Sequence, residues 1–274
     1  MKHLENQVAI ITGAGRGWGQ AIAIMMAREG AQTIVAARTA SEIENTVNLI
    51  RKENGKVEGV CLDVSDDAAV KKMIDDTVQK YGRIDAMVNN AAILPLKTFD
   101  EASMAEIDRI LNINLRAPMY ICKLVIDIMK KQGGGSIINV SSTSGVKGFY
   151  NESIYCTAKH GLEGLTKAIA IECAQYNIAA NTITPGGGSA GLHIKPTSIT
   201  QAQFDSMTEE EKKQWGDPLL FSEAFVYLAM QRPKEGGITG ERFVSYELSE
   251  HIRQEGYGIT LSDMKDDPVS LGKY

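Results

Sequence analysis

Nothing in this chain sets up a disulfide or a metal site. The four cysteines, Cys61, Cys122, Cys156 and Cys173, include no pair separated by two residues, the spacing used by zinc and redox motifs. They read as small apolar fillers in a reducing compartment. No apolar run approaches transmembrane length, and Met1 to Gln7 leads straight into a strand-like run without a leader pattern. A cytoplasmic location without a membrane partner is therefore expected. Positive charge is not in excess either. With 29 Lys and Arg against 34 Asp and Glu, the net charge is −5, which leaves no electrostatic case for a nucleic-acid partner. There is also no internal repeat and no interdomain linker, so residues 1–274 are expected to form a single domain.

What the chain does contain is a full complement of core-forming residues. Apolar residues make up 43% and charged residues 23%, ordinary values for a globular protein. Short apolar runs recur at residues 8–11, 33–37, 57–64, 86–89, 137–140 and 179–184. Each reads as a buried strand, because a parallel strand covered on both faces shows continuous rather than alternating hydrophobicity. Helix-like segments lie between them, including one from about Ser41, read as its N-cap, to Asn54, and one over 66–81. Strands alternating with helices predict an α/β fold, a doubly wound parallel sheet.

Four patterns carry chemistry. Thr12-Gly-Ala-Gly-Arg-Gly-Trp-Gly19 sits between the first strand and the first helix. Such a turn presents backbone N–H groups and a helix N-terminus to a phosphate, although a tight turn with no ligand has the same composition. Gly13 and Gly15 match the start of the usual dinucleotide fingerprint, but Trp18 stands where its third glycine belongs; the spacing is instead Gly13, Gly17, Gly19. The second strand ends in Ala37-Arg38, where a site reading a ribose 2′-hydroxyl wants an acid. The helical region 103–132 holds Asn112, Asn114 and Pro118; Pro118 predicts a kink about a turn earlier, near Asn114. Finally, Ser142 follows the 137–140 strand, and Tyr155 and Lys159 lie one helical turn apart on one face. An ammonium beside a phenol lowers the phenol's pKa, making Tyr155 an acid/base candidate. The same spacing also occurs on solvated helix faces, and only the rest of the chain decides between the two.

Taken together and in order, these motifs resemble those of the short-chain dehydrogenases/reductases over about residues 4–246. The resemblance rests on Thr12 to Gly19, Asn89-Asn90-Ala91-Ala92, Asn114, Ser142, Tyr155, Lys159 and Pro185-Gly186. It implies a Rossmann fold, a nicotinamide dinucleotide, and hydride transfer between a carbonyl and a secondary alcohol. Tyr155 would exchange a proton with the substrate oxygen, Ser142 would hydrogen-bond that oxygen, and Lys159 would lower the Tyr155 pKa and bind the ribose. Asn114 would hold a water leading to Lys159. Gly13, Arg16, Gly17, Trp18, Gly19, Arg38, Asp63, Val64, Asn90, Ala91, Pro185 and Gly186 would line the cofactor site. With no acid at Ala37, and with Arg16 and Arg38 at the adenosine end, NADP(H) is the expected cofactor.

Three departures from the family pattern touch the site's details. Trp18 replaces a small aliphatic residue, Ala190 stands at the position of the usual Thr near the carboxamide with Ser189 beside it, and the usual closing Gly-Gly is missing after Gly240. Residues 187–217 read as a substrate-covering lid, residues 218–230 as a last helix, residues 241–246 as an edge strand, and 249–274 as a weakly patterned tail. The substrate expected is a mid-sized, partly apolar alcohol or ketone, met by residues 146–152 and the lid. A homo-oligomer, tetramer or dimer, is expected from the apolar residues Ile121, Leu124, Val125, Ile128, Leu162, Leu165 and Ile169 on two long helices. The alternative of a dinucleotide-binding sensor or scaffold without turnover needs no Asn114/Ser142/Tyr155/Lys159 set. An epimerase or dehydratase of the extended kind would need a larger C-terminal part.

Overall fold

The apolar runs become a seven-stranded parallel sheet of order β3-β2-β1-β4-β5-β6-β7. The structure is a computed structural model that describes residues 2–185, 206–208 and 218–260. The strands are β1 (Val8–Thr12), β2 (Gln32–Ala37), β3 (Lys56–Cys61), β4 (Ala86–Asn89), β5 (Gly135–Val140), β6 (Ile178–Thr184) and β7 (Arg242–Val244). All six neighbouring pairs are parallel. β1, β4, β5 and β6 are buried along their whole length, as expected of parallel strands covered on both faces. Two apolar clusters fill the two faces. One gathers Ile11, Ile22, Met26, Val35, Phe225 and Phe243; the other gathers Ile10, Ile74, Met87, Val125, Ile137 and Ile178.

The helices close those faces. They are α1 (Gly17–Arg28), α2 (Ala40–Lys52), α3 (Asp67–Tyr81), α4 (Met104–Leu111), α5 (Ala117–Gln132), α6 (Ser153–Cys173), α7 (Glu223–Ala229) and α8 (Ser245–Glu255). α3 starts where Asp66 accepts the N–H groups of Ala68 and Ala69 and stops at Gly82, φ 76°, a left-handed residue that suits glycine. α4 opens with a reciprocal capping box between Ser103 and Glu106. α2 begins after Thr39, not after the expected Ser41, and the Thr39 side chain makes no cap bond.

The expected kink near Asn114 is a π-helical turn, Asn112–Arg116, joining α4 to α5. The Ala117 N–H reaches back to the Asn112 carbonyl. Pro118 has no N–H to give the Asn114 carbonyl, and the widened turn accommodates that missing bond.

Beyond β6 three expectations change. The expected helix 218–230 is a short 3₁₀ turn, Pro218–Phe221, followed by α7. β7 is a shorter strand than expected. Immediately after it α8 forms where a weakly patterned tail was expected, as far as Glu255. Leu248 and Ile252, four apart, are buried, and the Ser249 hydroxyl accepts the Ala224 N–H at 3.2 Å. Helical spacing of just two apolar residues among polar ones is too faint a signal to read locally. The expected lid, except for residues 206–208, the tail past residue 260, and Gly186, Ser189 and Ala190 lie outside the described residues.

The helix faces expected to drive oligomerisation are largely occupied by the protomer itself. Ile121, Val125, Leu162 and Ile169 are buried, while Leu124, Ile128 and Leu165 are half-buried. What remains outward on these helices is Met119, 47% exposed, and Ile171, 82% exposed. Cys122, Cys156 and Cys173 are the buried fillers expected, but Cys61 at the end of β3 is exposed. Among the described residues no helix is long and apolar enough to cross a membrane, and no group of metal-ligating side chains forms.

Candidate active site

The chain reverses its direction of strand addition between β1 and β4, and there a cleft of about 650 Å³ opens at the C-terminal strand ends. This is the place where open α/β sheets hold ligands. The cleft is stitched, not left as a gap. Asn90 Nδ2 donates to the carbonyls of Thr12 at 2.9 Å and Gly13 at 3.3 Å. The Thr12 hydroxyl accepts the N–H groups of Asn90 and Ala91 at 3.0 and 3.1 Å and lies 3.3 Å from the Val88 carbonyl.

The glycine turn forms one wall. A Cβ on Gly19 would fall 2.3 Å from the Gly13 carbonyl oxygen, so only glycine lets α1 approach β1 this closely. Gly17 has φ +56° with open space in front of it. α1 then starts without a side-chain cap and without an acid in its first turn, leaving N–H groups that suit an anion. Thr46 on α2 fixes the turn from behind, its hydroxyl 2.9 Å from the Ala14 carbonyl and 3.1 Å from that of Gly15. Gln20 Nε2 donates to Thr46 Oγ1 at 2.9 Å.

The expected cofactor residues that are described, Gly13, Arg16, Gly17, Trp18, Gly19, Arg38, Asp63, Val64, Asn90, Ala91 and Pro185, all line this cleft, with Tyr155 and Lys159. Gly186 lies outside the described residues. Asn90 contributes by pinning the turn. Trp18 packs its ring 6.3 Å from that of Phe225, tilted by 43°, so the bulk expected to reshape the nicotinamide end is partly absorbed by α7. Burial raises the Asp63 carboxyl, but hydrogen bonds from Ser65 and Arg38 outweigh it and hold it below the usual carboxylate range.

The cradle fits a dinucleotide on two counts. The turn bears the close glycine approach a diphosphate needs, and buried Ser141 Oγ, in the lining, makes no hydrogen bond with any described residue.

The other wall carries the acid/base set. β5 ends at Val140, and Ser142 begins a 3₁₀ turn, Thr143–Gly145. Ser142 Oγ donates to Ser144 Oγ at 3.2 Å, and Ser144 Oγ donates to Glu152 Oε2 at 2.7 Å. Ser142 lies close enough to Tyr155 for its hydroxyl to favour the phenolate. Lys159 Nζ donates to the Val140 carbonyl at 2.7 Å and lies 5.5 Å from the centre of the Tyr155 ring. Three of the four expected catalytic residues therefore meet at one strand end. Asn114 is fully buried, with its side chain committed to Ile93: Nδ2 donates to the Ile93 carbonyl at 2.8 Å and Oδ1 accepts the Ile93 N–H at 2.9 Å.

The expected lowering of the Tyr155 pKa does not occur in the folded chain. Burial pushes the phenol up to about 12, reinforced by the carboxylate of Glu152, while the Ser142 hydrogen bond pulls the other way. Lys159 is itself brought down to about 8 by burial, with Glu163 opposing. For both groups, which line the same cleft, desolvation is the largest cause. At neutral pH Tyr155 is a protonated donor.

α6 is held in place by polar bonds the sequence does not announce. Asn89 Nδ2 donates to Asn139 Oδ1, and Asn139 Nδ2 donates to Thr166 Oγ1, each at 2.8 Å. Buried Glu163 accepts from Thr182 at 2.8 Å and from Arg242 Nε at 3.1 Å. Arg242 Nη2 also donates to Thr184 Oγ1 at 2.5 Å and to the Ser142 carbonyl at 3.2 Å. Sequence reasoning missed Arg242, Glu163, Ser144, Glu152 and Ser141. The one signal for Arg242 was a charge inside an otherwise apolar strand.

Comparison with known proteins agrees with this geometry. A sequence model described as short chain dehydrogenase matches residues 7–198. A 3beta-hydroxysteroid dehydrogenase of Mediterraneibacter gnavus is 33% identical over 80% of this chain and 78% of its own. A levodione reductase of Leifsonia aquatica is 36% identical over 66% of this chain and 69% of its own. The crystal structure of a short-chain type dehydrogenase/reductase from Mycobacterium marinum superposes with a TM-score of 0.76 at 29% identity, covering 88% of this chain and 94% of that one.

A Lys whose folded pKa lies near 8, below the ordinary 10.5, costs stability wherever it must carry charge. The cost is complete below pH 8 and is relieved as pH rises toward 10.5, because the unfolded chain then binds more protons than the folded one. Lys159→Met is therefore expected to unfold at higher urea than the wild type at pH 7, by on the order of 1–3 kcal/mol. The gap should narrow steadily between pH 8 and 10. A gap that stays constant over that range would refute the burial cost assigned to the ammonium.

Proposed function

The chain belongs to the short-chain dehydrogenase/reductase family, and we propose that within it this oxidoreductase interconverts a secondary alcohol and a ketone with NADP(H). The observation that carries the reading is the meeting of Ser142, Tyr155 and Lys159 at the end of β5, beside the cleft at the β1/β4 reversal. When bound, a nicotinamide dinucleotide supplies or accepts the hydride. Everything else falls to the chain. Tyr155, held as a phenol, donates its proton to the substrate oxygen as that oxygen gains charge. Ser142 donates a hydrogen bond to the same oxygen, and Lys159 beside the ring stabilises the phenolate left behind. The stitched cleft and pinned glycine turn fix the cofactor's position, and the cleft walls limit water. Asn114 ties the π-turn to Ile93, a residue of the cleft lining. Binding alone would not need this proton-handling set, and nothing favours a silent sensor.

The substrate expected is a mid-sized, partly apolar alcohol or ketone. Val146, Phe149 and Tyr150, in the stretch expected to meet the substrate, are exposed, as are Leu96 and Phe99, and Lys97 N–H bonds the Asn151 carbonyl across the two loops. The names of the two relatives, a hydroxysteroid dehydrogenase and a levodione reductase, accord with cyclic alcohols and ketones as a first panel. Oxidation of the reduced cofactor, followed near ~340 nm with such a panel, tests the reaction class.

Three outcomes are expected. Tyr155→Phe should keep dinucleotide binding and lose about 10²–10⁴-fold in turnover; retention of more than about a tenth of wild-type activity would remove Tyr155 from the proton step. NADP(H) should be used better than NAD(H). Arg16 and Arg38 are 65% and 54% exposed, so each contact is worth ~1 kcal/mol and the preference about 30-fold in kcat/KM, the low end of what two arginines offer. Ala37→Asp with Arg38→Leu should shrink or reverse it, and equal use of both cofactors by the wild type would dismiss the reading. A homo-oligomer, dimer or tetramer, is proposed through the outward residues of α5 and α6. Light scattering that reports a mass near the 29.8 kDa of one chain at micromolar concentration would exclude it.

A further inference from the structure

Arg16 and Arg38 do not face the cleft as free cations. Arg16 Nε is 3.4 Å from Glu42 Oε1, and Arg38 Nη1 is 3.7 Å from Asp63 Oδ2. The end of the cleft expected to take the adenosine therefore holds two cations and two carboxylates, formally neutral. The two acids differ in their commitments. Asp63 Oδ1 accepts the N–H and the hydroxyl of Ser65 at 2.9 and 2.7 Å, so it is occupied with its own loop. Glu42 forms no side-chain hydrogen bond with a described residue, and its carboxylate lies in the cleft lining. It presses on the glycine turn: a Cβ on Gly15 would fall 2.8 Å from Glu42 Cβ and 3.0 Å from Glu42 Oε2. α2 cannot draw it back, because Thr46, one turn on, anchors that helix to the Ala14 and Gly15 carbonyls.

We propose that Glu42 is a specificity-determining residue whose carboxylate competes with a ribose 2′-phosphate for Arg16. It is an internal anion already paired with the arginine that the phosphate would use. A 2′-phosphorylated nucleotide must separate Arg16 from Glu42 and then stand beside the released carboxylate. A nucleotide with a bare 2′-hydroxyl meets neither cost. Glu42 thereby holds the discrimination between the two cofactors below what two arginines would impose and keeps the unphosphorylated dinucleotide usable. This inference rests on the cofactor reading given above, but its test does not depend on turnover.

Two fragments differing only at the 2′ position, adenosine 2′,5′-bisphosphate and 5′-AMP, are titrated by calorimetry into the full chain and into Glu42→Gln, at low and at 0.5 M salt. Glu42→Gln should bind the bisphosphate about tenfold more tightly than the wild type does, with 5′-AMP affected less than about twofold. The gain should shrink at high salt, as an interaction between exposed charges must. In an Arg16→Gln background the gain should also fall, because the contested partner is gone. A ratio of the two affinities unchanged by Glu42→Gln, or lowered by it, overturns the proposal. If the wild type prefers the bisphosphate and the variant's ratio does not move, the Glu42 inference fails while the cofactor reading stands. If the wild type has no preference but the variant gains one, the cofactor reading fails while Glu42 keeps its role. Failure of the variant to bind either fragment overturns both.

Discussion

The hydrogen bonds from Asn90 to the Thr12 and Gly13 carbonyls are the constraint on which the site depends. A parallel sheet that reverses its order of strand addition must part at the reversal, because the connections leave β1 and β4 toward opposite faces. Left alone, the parted ends would expose backbone groups needing partners. Asn90 and the Thr12 hydroxyl satisfy those groups from within, so the two lips stay at a fixed separation. The cleft is thus a consequence of topology, and its dimensions are set by two polar side chains. With the lips fixed, Gly19 can pack against Gly13, and α1 can point its N-terminus across the opening.

The acid/base wall is built on the opposite principle. There a buried ladder, Asn89 to Asn139 to Thr166, ties β4, β5 and α6 together, while Glu163 and Arg242 tie α6 to β6 and β7. Breaking one partner of a buried charged pair leaves the other uncompensated, which is far more costly than the pair's net contribution. The register of α6 is consequently hard to shift, and with it the placement of Tyr155 and Lys159. The same dryness that makes the ladder rigid raises the phenol and lowers the ammonium. The site rests with its proton on Tyr155 and its positive charge on Lys159 only weakly held. That is the starting condition for giving a proton to an oxygen that gains charge.

Much of this was legible in the sequence because it is local. β1, β4, β5 and β6 announce themselves as largely apolar runs, since burial on both faces leaves no room for alternation. Tyr155 and Lys159 are separated by one helical turn, and the glycines stand between a strand and a helix. Pro118 marks the bend at Asn114, although whether the helix would break or widen into a π-turn depends on packing that no window of sequence contains. What escaped are residues whose partners are set by the fold and not by helix or strand spacing: Glu42 against Arg16, Glu163 against Arg242, and Ser144 against Glu152 across a loop. Each looks like an ordinary surface charge or hydroxyl until the fold supplies its neighbour. α8 escaped for a related reason, its apolar stripe being two residues wide and meaningful only against α7.

The reach of Arg242 back to the Ser142 carbonyl spans 100 residues, and this gives the site an order of assembly. Chains emerge and fold from the N-terminus during synthesis. The first four strands form a contiguous half of the sheet, β3-β2-β1-β4, and with Asn90 that half already contains both lips of the cleft and the whole glycine turn. The Ser142 loop, by contrast, stays without its guanidinium clamp until the last described strand has been made and docked beside β6. A nascent chain would thus complete its nucleotide cradle well before the acid/base wall is clamped, and the order in which the ribosome delivers the sequence is also the order in which the two halves of the chemistry mature.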